Sequence, residues 1–123
     1  MSVVIDGTSG ITFPDSSSQS AAAESGYPLK SWVNFNGTGT VAIRNDQGVS
    51  SITDNGTGNY TVTFDSALAA ADHFVGGCAG QQPNSYMITM ECVSTSTSSD
   101  TVETQSTNHG PWDAAFVSVS SAT

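Results

Sequence analysis

Basic residues are almost absent from this sequence of 123 residues: Lys30 and Arg44 stand against eleven acidic residues, and the formal net charge is -9. Proteins that bind nucleic acid neutralise phosphates with clusters of Lys and Arg, so this balance excludes nucleic acid as a partner. It also excludes attraction to an anionic membrane surface. Charged residues make up only 11% of the chain, so the polar surface must come largely from serine and threonine, about 28% of the residues.

Long hydrophobic segments are missing as well. No apolar run approaches the roughly 20 residues that span a bilayer, so we expect no membrane insertion. The N-terminal sequence from Met1 to Gly10 has neither the basic region nor the continuous apolar stretch of a secretory signal. We therefore expect a protein made in a cytoplasm and used outside it. The alternative is a mature extracellular domain whose signal has been removed.

Cysteine is scarce, and the only two are Cys78 and Cys92. A bridge between them would close a loop of about 15 residues and contribute about 3 kcal/mol. Both lie in apolar, strand-like stretches, where a free cysteine packs as a small hydrophobic residue, and we predict two reduced, buried thiols. Metal-ligand spacings such as CxxC and HxxxH are absent from the sequence, so we expect neither a metal site nor a cofactor.

The chain from Tyr27 onward alternates apolar and polar residues, which is typical of β-strands. Asp54-Asn55-Gly56-Thr57-Gly58 predicts a hairpin turn, because Asn-Gly readily adopts positive φ. In the strand that follows, Tyr60, Val62 and Phe64 are expected to face the core. Seven or eight strands in under a hundred residues predict an all-β protein, a small antiparallel β-sandwich of jelly-roll or immunoglobulin-like type over residues 26–123.

Residues 1–25 are expected to form an extended N-terminal arm. This segment has too few large apolar residues to bury a core by itself, so we expect it either to stay flexible or to be ordered by another protein onto which it docks. The candidate anchoring residues are its large apolar ones: Val3, Val4, Ile5, Ile11 and Phe13.

The run 33–44, followed by 49–64, is similar to a module that recurs in tail-fibre and knob-like accessory proteins of tailed bacteriophages. The piece from Gly7 to Asp15, with 19–22, resembles a connector that often precedes such modules. Together they cover about 40 of the 123 residues. Many such connectors have Gly after Pro-Asp, whereas this chain has Ser16.

The resemblance implies a non-enzymatic structural protein of a bacteriophage virion, made in the cytoplasm of the host bacterium. It implies a homotrimer whose N-terminal arm is anchored to tail or capsid proteins and whose head projects outward, where it can contact the host surface. Because the chain is much shorter than a typical fibre, the alternative is a capsid decoration protein that stabilises the head.

The residues capable of catalysis form no recognisable pattern. The G-x-S-x-G turn of a serine nucleophile is absent, His73 and His109 are far apart, and the spacing of the carboxylates selects no pair. We therefore predict no catalytic residues and no enzyme.

A third reading is a free carbohydrate-binding module. Gly110-Pro111 would break a strand and present Trp112 for stacking on a sugar ring. The candidate glycan contacts are Asn108, His109, Trp112 and Asp113. The alternative for Trp112 is packing in the core or in a subunit interface.

Overall fold

The computed structural model describes residues 4–6, 10–12, 14, 16, 18–19, 29–80, 88–107 and 110–122. These residues form β-strands and turns, and they include no helix that is long and apolar enough to cross a membrane. The strands are β1 (Val4–Asp6), β2 (Gly10–Thr12), β3 (Ser18–Gln19), β4 (Leu29–Asn36), β5 (Ala42–Gln47), β6 (Val49–Gly56), β7 (Asn59–Phe64), β8 (Phe74–Gly80), β9 (Ile88–Thr95), β10 (Ser99–Ser106), β11 (Gly110–Pro111) and β12 (Phe116–Ala122).

The predicted β-sandwich is confirmed. One sheet has the order β5-β4-β12-β8, and the other has the order β11-β10-β7-β6 with β9 paired to the free edge of β10. The pairings between the described strands are antiparallel. Because β4, β12, β10 and β7 are flanked on both sides, their inward-facing residues form the core.

The core follows the alternation of the central strands. In β7, Tyr60, Val62 and Phe64 are buried while Thr61 and Thr63 are only half-buried, as predicted. The rings of Phe35 and Tyr60 meet edge to face across the sandwich, with centroids 5.1 Å apart. The buried apolar residues are Val33, Phe35, Val49, Tyr60, Val62, Phe64, Leu68, Val102, Ala114, Val117 and Val119.

The chain changes sheets at Gly48, between β5 and β6. This glycine has φ 71, and a Cβ at the position would lie 2.6 Å from the backbone oxygen of Lys30. Both the left-handed backbone and the close approach require glycine. The turn therefore determines how the two sheets are joined at this corner.

The described part of residues 1–25 forms a small sheet of its own, in the order β1-β2-β3. Ile5 lies directly opposite Ile11 in the β1-β2 register. Ser16, between β2 and β3, has φ 69. It thus adopts the left-handed conformation that glycine accommodates best.

The prediction that both cysteines are buried is wrong. Cys78 and Cys92 are both free, and both are exposed. Cys78 lies opposite Ser118 on the outer face of the edge strand β8, and Cys92 lies on the edge strand β9. Apolar neighbours in sequence do not bury a side chain that faces outward, as Cys78 does, or one on an edge strand without a second flanking strand, as Cys92 does.

Candidate functional site

The segment between β11 and β12 lies across one end of the sandwich. The backbone N–H of Trp112 donates to the oxygen of Thr104 at 2.9 Å, and the Thr104 hydroxyl donates to the oxygen of Trp112 at 2.6 Å. The N–H of Gly37, in the turn after β4, donates to the oxygen of Ala114 at 2.9 Å. These bonds hold the backbone on both sides of Asp113.

The Asp113 carboxylate is bonded to the sandwich through one oxygen. Its Oδ1 accepts a hydrogen bond from the N–H of Gly58 at 2.7 Å. The hydroxyl of Tyr60 lies 3.1 Å from the same Oδ1 and 3.0 Å from the backbone oxygen of Gly37, and it donates its proton to these two acceptors. Burial of Tyr60 raises its pKa, and the hydrogen bond to Asp113 raises it further. Tyr60 therefore remains a neutral donor, and the orientation of the carboxylate is fixed.

Glycine permits the hairpin turn of β6 and β7 to approach this segment. Gly58 has φ 69, and a Cβ there would lie 2.5 Å from the oxygen of Thr104 and 2.7 Å from the nitrogen of Trp112. A larger residue would push the turn away from Trp112. Gly58 thus determines how closely the turn approaches the backbone of Trp112.

A pocket of about 290 Å³ opens at this end, lined by Thr38, Thr57, Trp112 and Asp113. The hydroxyl of Thr38 donates to Oδ1 of Asn36 at 2.7 Å, so its oxygen remains available as an acceptor. The pocket therefore combines an aromatic side chain, a carboxylate and two hydroxyl groups. Such a lining can hold a small ligand that has an apolar face and hydrogen-bond donors.

Of the predicted glycan contacts, Trp112 and Asp113 lie together in this pocket. Asn108 and His109 lie outside the described residues. Sequence reasoning missed Thr38, Thr57 and Tyr60. The hairpin signature located the turn that contains Thr57, but nothing local indicated that this turn would meet a residue more than fifty positions away.

The candidate anchoring residues lie only partly within the described chain. Val4 and Ile5 are in β1, and Ile11 is half-buried in β2. Val3 and Phe13 lie outside the described residues.

A second polar cluster lies inside the sandwich, away from the pocket. Nε2 of His73 is 2.8 Å from Oδ1 of Asp100, and the hydroxyl of Ser121 donates to Oδ2 of the same carboxylate at 2.6 Å. Asp100 is completely buried. A serine nucleophile needs a histidine as its base, whereas here the carboxylate lies between the serine and the histidine. The cluster is therefore arranged as a structural link and not as a catalytic triad.

Among the residues that the structure describes, no group of three or more His, Cys, Asp or Glu side chains could hold a metal ion. The chain matches no protein-family model, and neither the curated proteins nor the solved structures include a significant match to it.

Proposed function

We propose that this protein is a non-enzymatic structural component of a bacteriophage virion, a tail-fibre-like or knob-like accessory protein. In this proposal residues 1–25 attach it to the particle, and the sandwich assembles it as a homotrimer. The observation that carries the proposal is an outer sheet face without acidic residues on an otherwise acidic chain. Copies can meet through such a face without bringing carboxylates together.

The face is formed by β4, β12 and β8, none of which contains Asp or Glu, although the chain has eleven such residues. The register places Leu29, Ala122 and Phe74 in one row across it. Leu29 is 51% exposed and Phe74 is 62% exposed. Burial of this row against another copy would remove apolar surface from water, which favours association.

Two side-chain donors of the same face are already bonded within the sheet. The indole N–H of Trp32 donates to Oε1 of Gln47 at 3.1 Å, and Nδ2 of Asn34 donates to Oγ of Ser118 at 2.8 Å. Because these donors have partners, covering the face leaves fewer unsatisfied polar groups than an ordinary polar surface would. This arrangement supports burial in an assembly.

The opposite face of the sandwich is less suited to self-association. Glu91 of β9 lies directly opposite Glu103 of β10 in the register. Two copies that met through that sheet would bring four carboxylates close together. The distribution of charge thus favours the β4-β12-β8 face.

The N-terminal sheet supports the proposed attachment. Its β1-β2 pair places two of the candidate anchoring residues, Ile5 and Ile11, opposite each other. Ser16 has φ 69 at the position where similar phage connectors have glycine. The backbone at this turn is therefore the one that a glycine-containing connector would adopt.

The molar mass of the purified full-length protein tests the assembly, measured by light scattering after size exclusion. We expect a trimer, and we expect Phe74→Glu to dissociate it because the substitution places a charge in the buried row. Val93→Glu is the matched control, since Val93 is 52% exposed on β9 of the other sheet. A monomeric wild-type protein, or equal effects of the two folded variants, would overturn the proposed assembly.

Quantitative mass spectrometry of purified particles tests the location. A few to a few dozen copies per particle would support a tail protein, whereas hundreds would replace it with the capsid decoration protein. Absence from the particle would overturn the virion proposal altogether. For the attachment, Ile11→Asp in the full chain should reduce incorporation, while Ile43→Asp in the sandwich should not.

A further inference from the structure

We infer that the pocket lined by Thr38, Thr57, Trp112 and Asp113 binds one neutral pyranose ring, which stacks on Trp112 and donates hydroxyl hydrogen bonds to the polar lining. The inference concerns a binding activity of the single sandwich. It goes beyond the structural role proposed above and holds or fails independently of it.

The size of the pocket limits the ligand. Its volume of about 290 Å³ falls just below the roughly 300 Å³ at which the range for small-molecule pockets begins. It can accommodate a single sugar ring but not several rings at once. A longer glycan would have to present one terminal or projecting residue to it.

The hydrogen-bonding chemistry of the lining requires a ligand with donors. The carboxylate of Asp113 only accepts hydrogen bonds. The hydroxyl proton of Thr38 is already directed to Asn36, which leaves an acceptor oxygen there as well. An anionic ligand would meet the Asp113 carboxylate and a chain of net charge -9. Adjacent hydroxyl groups on an uncharged ring satisfy these conditions, and the apolar face of the ring suits the indole.

The lining is held in place before any ligand arrives. Oδ1 of Asp113 accepts from both Gly58 and Tyr60, and Thr104 is bonded to both backbone groups of Trp112. Binding therefore requires little ordering of the main chain. Because the entropy cost of ordering is small, less of the favourable binding free energy is lost.

The fluorescence of the two tryptophans provides a direct test, because the chain contains only Trp32 and Trp112. The Trp32→Phe variant leaves Trp112 as the sole indole, and Trp112→Phe leaves Trp32, which lies on the outer face of the other sheet. The probes are the methyl pyranosides of glucose, galactose, mannose and N-acetylglucosamine, with sialic acid and choline as anionic and cationic comparisons. We expect a saturable change in emission from Trp112 with at least one neutral sugar and none from Trp32.

A pair of threonine variants locates the contact. Thr57→Val removes a hydroxyl from the exposed rim of the pocket and should raise Kd about two- to tenfold, the equivalent of one hydrogen bond. Thr40→Val is the matched control, since Thr40 is exposed in the neighbouring turn and does not line the pocket. Circular dichroism verifies that both variants remain folded.

Three results would overturn the inference: no saturable response to any neutral sugar, a response to choline or sialic acid alone, or equal effects of Thr57→Val and Thr40→Val. A correctly assembled trimer without sugar binding would reject this inference and leave the assembly proposal standing. Sugar binding by a monomeric protein would support this inference and reject the assembly proposal.

Discussion

His73 and Asp100 form an ion pair inside the sandwich, with Nε2 of the imidazole 2.8 Å from Oδ1 of the carboxylate and both side chains inaccessible to solvent. Nδ1 of the same ring lies 3.0 Å from the backbone oxygen of Ala70. Since both ring nitrogens face acceptors, the protonated imidazolium donates from both. The pair fixes the segment that leads from β7 into β8, because Asp100 belongs to the central strand β10.

This pair predicts a fold that is more stable at mildly acidic than at alkaline pH. Burial acts to lower the pKa of His73, but the hydrogen bonds to Asp100 and to Ala70 outweigh it, and the folded-state pKa lies above 6.5. A raised pKa contributes stability that is fully present below the unfolded value and is lost as pH rises through the folded value. Urea denaturation from mildly acidic to alkaline pH should show this loss in the free energy of unfolding.

The His73→Ala variant isolates the contribution of the pair. At mildly acidic pH it should lose about 3–5 kcal/mol, since it leaves a buried carboxylate without its partner. The difference from wild type should shrink as pH rises, because wild-type His73 then loses its proton. In an Asp100→Asn background, His73→Ala should lower the free energy of unfolding by less, because the buried carboxylate that needs a positively charged partner is gone. A constant difference across the pH range would contradict the prediction.

Glu91→Gln should stabilise the protein by about 0.2–1 kcal/mol, because it removes one of two like charges that lie directly opposite each other on β9 and β10. High salt should reduce the gain by screening. Glu103→Gln is the control: it relieves the same repulsion but weakens the acceptor for Nε2 of Gln105, which lies 2.7 Å from Oε1 of Glu103. Thermal unfolding at low and high salt measures both variants, and a destabilising Glu91→Gln would argue against the repulsion.

Ser16→Gly should stabilise the N-terminal sheet by about 1 kcal/mol, because a left-handed backbone costs residues other than glycine roughly that amount. Hydrogen exchange of the β2 and β3 amides should slow about fivefold. Ser51→Gly, at an exposed position of β6, should leave that exchange unchanged. Faster exchange in the Ser16→Gly protein would show that the turn does not favour glycine.

Both thiols should react with a disulfide reagent in the native protein, because both are exposed. Cys92, isolated in a Cys78→Ser variant, should react more slowly at neutral pH than an unperturbed thiol. Although the residue is exposed, partial desolvation of its sulfur raises the pKa of Cys92, and the nearby charge of Asp100 raises it further, so less thiolate is present. Its rate should continue to increase with pH into the alkaline range. A thiol that reacts only after denaturation would contradict the observed exposure.

The alternation of apolar and polar residues was enough to predict the all-β class and the inward face of β7, with Tyr60, Val62 and Phe64. The Asn-Gly pair predicted the hairpin between β6 and β7, but the two turn residues are Thr57 and Gly58, and positive φ occurs at Gly56 and Gly58 and not at Asn55. These features could be read locally, because strand periodicity and turn conformation depend on neighbouring residues.

Only the tertiary structure decided which strands are central and which are edges. Cys78 and Cys92 stand in apolar stretches, yet the register directs Cys78 to the outer face of its sheet, and Cys92 lies on the edge strand β9. Asp100 is charged, yet β10 is central and its register directs the carboxylate inward, where His73 meets it from 27 positions away. Asp113 likewise meets Tyr60 and Gly58 only because two turns and one loop converge at the same end of the sandwich. The burial of a side chain and the identity of its hydrogen-bond partners depend on strand order and register. These bring together residues that are far apart in the sequence, which local sequence patterns do not reveal.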